Sequence, residues 1–445
     1  MKKAKHIKHI VFTAILVALI AAFVFLLTPK APAVTSSAEE RLNALEIIYQ
    51  GAKASFGYWD LVPNLDWDSL YEEYQGRVTH VKSDWEYYGE LRRFVAQLRD
   101  GGHTYVTLPI SPPYLLPIEL RYMEGQFVIW GADSSTVKVP LGSVVTTING
   151  AGTEIYLERL VGDQSGLFTP NARQDMLASL AQVSGSPDTL TLNGITPDGQ
   201  PFSLDVTYQK NTPKYAPVLD TLHIESTGTP VGQYETMTVY DCGYGRYRIK
   251  FPDFNDKRLK DEFEQFVTDY GLQASAFILD MRGNRGGSAL LGMNVLSYFS
   301  HLEDLTVVWN KADTLPKEYR AQMAKEAGKM GLVQEYLLTQ PAVILTDWDC
   351  GSAGDDFVAM AKGTDRFTII GTNTHGGTGE LAYFDLPNGG RFAVSSRNTV
   401  WGEDGNEIIN IGIPPDIWAE QTIKDAINGK DTVMAFALNR MEKLK

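Results

Sequence analysis

Cysteine is scarce in this 445-residue chain: there are two, Cys242 and Cys350, far apart in sequence. An oxidising compartment would permit one bridge between them, although each reads more simply as a small buried hydrophobe. Histidine is also sparse. Five lie beyond the first thirty residues (His80, His103, His223, His301 and His375), none at H-E-x-x-H spacing and no two of them three or four apart. That pattern argues against a zinc site. Positive charge is in deficit, with 40 Lys and Arg against 54 Asp and Glu. Setting aside the five lysines of the first thirty residues leaves 35 basic against 54 acidic groups, a balance of −19. Such a surface repels a phosphate backbone, which argues against nucleic-acid binding. No internal repeat and no low-complexity tract is present.

What is present is an ordinary globular composition, 44% hydrophobic and 21% charged, long enough for two to four domains. The N-terminus carries a membrane signal. Lysines precede an apolar run from Ile10 to Leu27, "IVFTAILVALIAAFVFLL", whose only polar member is Thr13. At ~1.5 Å per residue it spans roughly 27 Å, close to the hydrocarbon thickness of a bilayer. The lysine-rich side should stay cytoplasmic, with the body of the chain outside. An uncleaved single-pass anchor is favoured over a removed signal peptide, "APA" at 31–33 being a poor cleavage site because of Pro32. Residues 28–38 read as a linker.

Periodicity divides the rest. Residues 38–104 carry helical spacing, most clearly "SDWEYYGELRRFVAQLRDGG", where Ser83 and Glu86 form a capping box and Gly101–Gly102 supply the stop. Residues 105–212 read as short strands and turns, with Asn149-Gly150 and Asp198-Gly199 as turn signals. Residues 213–445 alternate strands and helices, including "ASAFILD", "PAVILT" and "RFTIIG" and a polar helical segment around 316–338. Near-continuous apolar strands followed by helices predict an α/β layer with parallel pairing, and sites in such sheets lie beyond the carboxyl ends of strands. The loops "RGNRGG" and "WDCGSAGDD" both fall there.

Ser352, in the second loop, reads as a helix cap paired with Asp355 or as a nucleophile. A nucleophile needs oxyanion donors and a base. The Ala353 N–H is one donor, and Gly286 or Gly287 could give the second. Lys362, ten residues on in the same helix, is too distant to be the base. His103, at a glycine-flanked helix-to-strand junction, and His375, in "NTHGGTG", are the candidates. Cys350 is a rival nucleophile, but the helix-opening position belongs to Ser352.

Four collinear stretches sharpen this reading. "WDSLYEEYQGRV…LRRFVAQLRDGGHTYV" ends in an L-x-D-G-H-T-like motif. "GSVVTTINGAG" resembles the pattern G-x-x-I-x-x-I-N-G, with Val145 at the first apolar position, and "FILDMRGNRGG" has the form D-x-R-x-N-x-G-G. "CGSAGDDF…IIGTNTHGGTGE" with "GIPPDI" resembles S-A-x-E, with Asp355 at the acidic position, and G-x-x-T-x-G and G-x-x-P-D patterns. In this order, over about residues 60 to 420, they resemble the C-terminal processing peptidase and tricorn-type family of serine peptidases. The resemblance implies an α/β catalytic domain of ClpP/crotonase-like layered sheet and helices, an N-terminal helical domain and a β-rich PDZ-like domain. It implies Ser352 as nucleophile and Ala353 with Gly286–Gly287 as oxyanion hole. The lysine of the Ser/Lys branch is replaced by Gly377, so the histidine-base branch is implied, with His103 as general base. No metal or organic cofactor is implied, and the partner would be a protein or peptide substrate.

Two positions depart from that branch: Gly102 stands where a serine precedes the histidine, and Ile409 where a glutamate is expected. Glu407, Asp100 and Asp404 are candidates to orient His103. The stretch "SPPYLLPIEL" is a candidate pocket for a substrate carboxylate. The leading expectation is a membrane-anchored extracytoplasmic serine endopeptidase. The alternatives are a peptide-binding scaffold of the same fold with weak or no turnover, and a serine hydrolase acting on esters or lactams.

Overall fold

A computed structural model describes residues 34–212, 217–305, 307–311, 325, 332, 335–387, 389–402 and 404–442. The apolar segment 10–27 lies outside the described residues, as does most of the expected helical segment around 316–338. Among the described residues no helix is long and apolar enough to cross a membrane.

Three helices open the described chain: α1 (Ala38–Ser55), α2 (Trp67–Thr79) and α3 (Asp84–Ala96). Each begins on a residue whose side chain accepts from the first turn, Ser37, Asp66 and Ser83, as orphan N–H groups require. At α1 the capping box is complete. At α3 it is half formed: Glu86 N–H donates to Ser83 Oγ, but the Glu86 carboxylate accepts from Lys82 N–H instead. The helices bury Leu45, Ile48, Leu91 and Phe94 in one cluster with Phe392, Val394 and Ile409. The helical core therefore crosses the boundary expected at residue 104 and is completed by the far end of the chain. The physical link is β1 (Tyr105–Thr107), which pairs antiparallel with residues 391–393.

A β-rich unit follows. Strands β2 (Ile118–Met123), β3 (Gln126–Ala132), β4 (Val144–Ile148), β5 (Thr189–Ile195) and β6 (Pro201–Thr207) form an antiparallel sheet in that order. Helices α4 (Thr153–Val161) and α5 (Pro170–Leu180) accompany it. The Asn149-Gly150 turn has φ of 49° and 78°, the left-handed pair that a two-residue hairpin demands. Asp220–Thr221 adds to β3, so the sheet extends past residue 212. Tyr114–Leu115 pairs with two short strands, and Leu116 N–H donates to Gln182 O. The amides around Leu116 are thus engaged by the fold rather than open to a carboxylate.

The remaining strands build the main sheet: β7 (Thr229–Val231), β8 (Thr238–Asp241), β9 (Arg246–Lys250), β10 (Ala276–Asp280), β11 (Ala342–Thr346), β12 (Phe367–Gly371) and, after β13 (Leu381–Asp385) and β14 (Arg391–Ser395), β15 (Ile417–Trp418). The order is β7-β8-β9-β10-β11-β12-β15, parallel from β9 onward. Phe277, Leu279 and Ile344 pack with α6 (Leu259–Asp269), α7 (Ala289–Ser297) and α8 (Ala353–Lys362). Ile278, Val343 and Leu345 face Met434 and Ala437 of α9 (Thr432–Glu442). Period-two alternation thus feeds two apolar layers, which explains why these strands read as unbroken hydrophobic runs.

At the carboxyl end of β10, Asp280 is fully buried. Its oxygens accept from Arg248 Nε at 2.9 Å and from Arg282 Nε and Nη2 at 2.9 and 2.8 Å. Burial alone would raise its pKa; Arg282, Lys250 and Arg248 outweigh it and hold the carboxyl well below the usual range. Arg282 also pairs with Asp431 just before α9, fixing the turn that leads into "RGNRGG". Asp280→Ala strands the buried Arg248 guanidinium and leaves Arg282 with Asp431 alone, and is expected to destabilise the fold by ~3–5 kcal/mol in denaturant unfolding.

Candidate active site

Ser352 closes the loop after β11 and sits at the start of α8, in the left-handed region at φ 55°. A non-glycine residue there costs ~1–3 kcal/mol and persists only when its surroundings over-determine it. Here they do. Gly351 N–H donates to Asn284 O at 2.9 Å, Ser352 N–H to Gly377 O at 2.8 Å, and His375 N–H to Cys350 O at 2.7 Å. The expected capping box does not form, because the Ser352 side chain makes no bond to its own helix. Asp355 turns away to the other loop, accepting from Thr374 Oγ1, Gly376 N–H and Gly377 N–H. Ser352 caps nothing, and its hydroxyl is left for another partner.

That partner is His103. Its Nε2 lies 3.1 Å from Ser352 Oγ and its Nδ1 2.9 Å from Ser395 Oγ. The second contact follows from strand register: Tyr105 faces Ala393 in the β1–β14 pairing, and continuing it by two residues sets His103 against Ser395. The Ser395 hydroxyl donates to Asp100 Oδ2 at 2.7 Å. Asp100 also receives the Thr104 N–H and hydroxyl, and Thr104 Oγ1 accepts from Ser395 N–H. A hydroxyl has one proton. With Ser395 donating to Asp100, its oxygen is the acceptor for His103 Nδ1–H, which leaves Nε2 as a lone pair facing Ser352. Burial depresses the imidazole pKa to about 4, against the raising effect of Asp100, so the ring is neutral at pH 7.

The other candidates are placed elsewhere. His375 is held by Trp348 O and Gly101 O, at 3.0 and 3.1 Å, and supports the glycine turn before His103. Glu407, expected as an orienter, pairs with Lys311 and never meets the imidazole. It lies in a short hairpin strand opposite Val400. Asp404 is exposed. Ile409 is buried in the helical core, so an apolar contact occupies the slot where an acid was sought. Cys350 and Cys242 are both free thiols. Cys350 is fully buried, and burial lifts its pKa well above normal, which removes it as a rival nucleophile. Lys362 bonds to Asp416 and Pro414 O.

The two glycines of the neighbouring loop separate. Gly286 N–H is used by Asn284 Oδ1 at 2.9 Å, so it is no oxyanion donor. Its role is steric: at φ 93°, a Cβ there would stand 2.6 Å from Ser352 Cβ and 2.7 Å from Ala353 N. The N–H groups of Gly287 and Ala353 have no hydrogen-bond partner among the described residues. Both residues line the space around Ser352. A cleft of about 770 Å³ connects His103, Ser352, Gly287 and His375. No group of three His, Cys, Asp or Glu among the described residues could hold a metal ion.

A serine poised on a half-buried neutral imidazole, beside unpaired amides at the carboxyl edge of a parallel sheet, is the arrangement of a serine hydrolase. Residues 247–419 match the model of Peptidase family S41. A curated relative, the carboxy-terminal-processing protease of Bartonella bacilliformis, is 24% identical over 285 residues, 63% of this chain and 57% of the relative. The match thus spans little more than half the length of that relative. Among solved structures, mature CPAF superposes with TM-score 0.64 at 16% identity, covering 92% of this chain and 96% of the other. Mature CPAF complexed with lactacystin gives TM-score 0.65, also at 16% identity, over 92% of this chain and 98% of that one. At that identity the likeness establishes the fold. The family match over residues 247–419 and the curated relative together support a serine peptidase similar to the C-terminal processing peptidases.

Ser395, Thr104 and the Asn284 side chain were not singled out from sequence. Their signal is the β1–β14 register and the turn after β10, neither of which periodicity reveals. Ser395→Ala removes the acceptor that fixes the His103 tautomer. It is expected to lower kcat by between ~10-fold and the ~10⁴-fold cost of a wrong-tautomer imidazole, with KM little changed.

Proposed function

We propose that the chain is a serine endopeptidase in which Ser352 is the nucleophile and His103 the general base. The observation that carries this reading is the 3.1 Å approach of His103 Nε2 to a Ser352 hydroxyl that caps no helix. Ser352 Oγ attacks the scissile carbonyl carbon while its proton passes to Nε2. The developing oxyanion accepts from Ala353 N–H and Gly287 N–H. The imidazolium then protonates the departing amine, leaving an acyl ester on Ser352. Water, deprotonated by the same nitrogen, hydrolyses it. Ser395 and Asp100 hold the ring in the tautomer this cycle needs and stabilise its cationic form through the shared hydroxyl.

The β-rich unit serves, in this reading, as a PDZ-like substrate-binding domain. A groove between β2 and α5, lined by Leu120, Arg121, Ala172 and Met176, continues into the catalytic cleft through Met176, Arg285, Asp349 and His375. An extended peptide lying there would enter the cleft from one end. The second reading, a binding scaffold with little turnover, is favoured by one observation: among the described residues no carboxylate hydrogen-bonds to His103 directly.

A fluorophosphonate probe is expected to label the wild-type protein and not Ser352→Ala; correctly folded wild-type protein that takes no label overturns the peptidase reading. Because His103 must be unprotonated and burial depresses it to about 4, kcat/KM should hold through mildly acidic pH and fall only as pH drops through about 4. A limb at 6 to 7 would contradict that environment.

The segment 10–27 is proposed as a single-pass anchor with the catalytic body outside the cytoplasm, from its length, apolarity and preceding lysines. Full-length protein is expected to stay with the membrane after alkaline carbonate washing, and external protease is expected to reach the body in intact cells. Release into the soluble fraction would sink the anchor.

A further inference from the structure

Beside the nucleophile, on the side that His103 does not reach, lies a second cavity of about 470 Å³. Ser352, Ala353 and Gly287 form its mouth; His103 is absent from its lining. This asymmetry assigns its use. His103 delivers a proton to the departing amine, so the leaving half of the substrate lies in the cleft that contains His103. The acyl half, whose carbonyl sits on Ser352 and the Ala353 and Gly287 amides, must direct its side chain the other way. The second cavity is therefore the pocket for the residue that donates the scissile carbonyl, which rests on the peptidase reading above.

The walls are apolar, built from Leu290, Met293, Leu305, Val308, Trp309 and Met360. Three charged residues line it among those described: Asp356, Glu380 and Arg397. Glu380 and Arg397 pair with each other at 2.7 Å and are more than half exposed, so they neutralise one another at the rim. Asp356 is different. It stands one turn along α8 from Ser352, and Oδ1 accepts from Thr378 Oγ1 at 2.8 Å. No other hydrogen bond and no ion pair to its carboxylate occurs among the described residues. A carboxylate removed from bulk water accepts several donors when it can, and the missing ones have to come from whatever enters the cavity.

We propose that Asp356 makes this pocket selective for a long side chain with an apolar stem and a cationic tip, lysine or arginine, at the position just before the cleaved bond. The stem lies along the methionine and leucine walls, and the tip supplies the charge and donors that the Asp356 carboxylate lacks. An acidic side chain would face a like charge in a poorly solvated pocket and be rejected.

A peptide series varied only at that position tests this. Wild-type protein should cleave the lysine and arginine peptides with kcat/KM at least ~10-fold above leucine and ~100-fold above aspartate, and Asp356→Asn should cut the lysine-to-leucine ratio by ~10-fold or more. Asp356→Lys should shift preference toward glutamate. Preference for leucine or alanine in the wild type, or an unchanged ratio in Asp356→Asn, overturns the assignment. Fluorophosphonate labelling of each variant keeps the two questions apart: a labelled enzyme without basic preference refutes the pocket alone. If wild-type protein takes no label, the peptidase reading fails. The pocket is then judged by binding of peptides ending in lysine or leucine to Ser352→Ala, where equal affinity refutes it.

Discussion

Three backbone pairings, Tyr105 with Ala393, Val106 with Phe392 and Thr107 with Arg391, are what the rest of this site depends on. They join a strand that leaves the helical region to one that follows the main sheet, and they complete the helical core with Phe392 and Val394. Because side chains alternate strictly along a strand, a slip of one residue would put Ser395 on the opposite face and leave His103 Nδ1 without a partner. The hydrophobic fit of Phe392 and Val394 against α1 and α3 therefore does chemical service at a distance. It sets the register that fixes an imidazole tautomer.

The electrostatics are unusual for the general base proposed here. The imidazole is half-buried, depressed in pKa, and separated from the nearest carboxylate by a hydroxyl. A carboxylate in direct contact would stabilise the imidazolium strongly; through Ser395 the same charge acts at longer range. In the proposed mechanism such a base accepts a proton only transiently, with less stabilisation of the charged ring than a directly paired histidine has. What it gains is a defined orientation: Asp100, Thr104 and Ser395 form a closed set in which each hydroxyl donates to the Asp100 carboxylate and the Thr104 N–H is shared between its two oxygens. Orientation and tautomer are held by hydrogen-bond arithmetic rather than by opposing charge.

Much of this was legible in the sequence, for reasons that can be named. The parallel strands announced themselves as unbroken apolar runs, since both faces are covered. Ser352 and His103 stood out because glycines flank both, and the resemblance joined them across some 250 positions. The orienting group was not legible, because it depends on strand register, a long-range quantity. Proximity in sequence to a family slot suggested Glu407, which instead pairs with Lys311, while the slot itself is filled by the buried Ile409. The capping box at Ser352 failed for a local reason. A cap residue has extended backbone angles, and Ser352 is forced to positive φ by three bonds from neighbouring loops. Gly286 and Gly287 look interchangeable in "RGNRGG"; only the turn of Asn284 distinguishes the amide that is used from the amide that is free.

The same loops explain why strain is stored at Ser352 rather than relieved. Asn284 binds across to Phe251 O and Gly286 N–H, its own carbonyl takes Gly351 N–H, and Gly377 O takes Ser352 N–H. Each bond is ordinary, worth about 1 kcal/mol net, yet together they exceed the cost of one left-handed serine. If the serine relaxed to a conventional cap, its N–H and that of Gly351 would leave acceptors that are themselves buried. The hydroxyl would then turn onto its own helix, against the amides to which the proposed mechanism assigns the oxyanion. Strain and readiness are thus one feature: the loops on either side keep Ser352 from doing what a serine at a helix start ordinarily does.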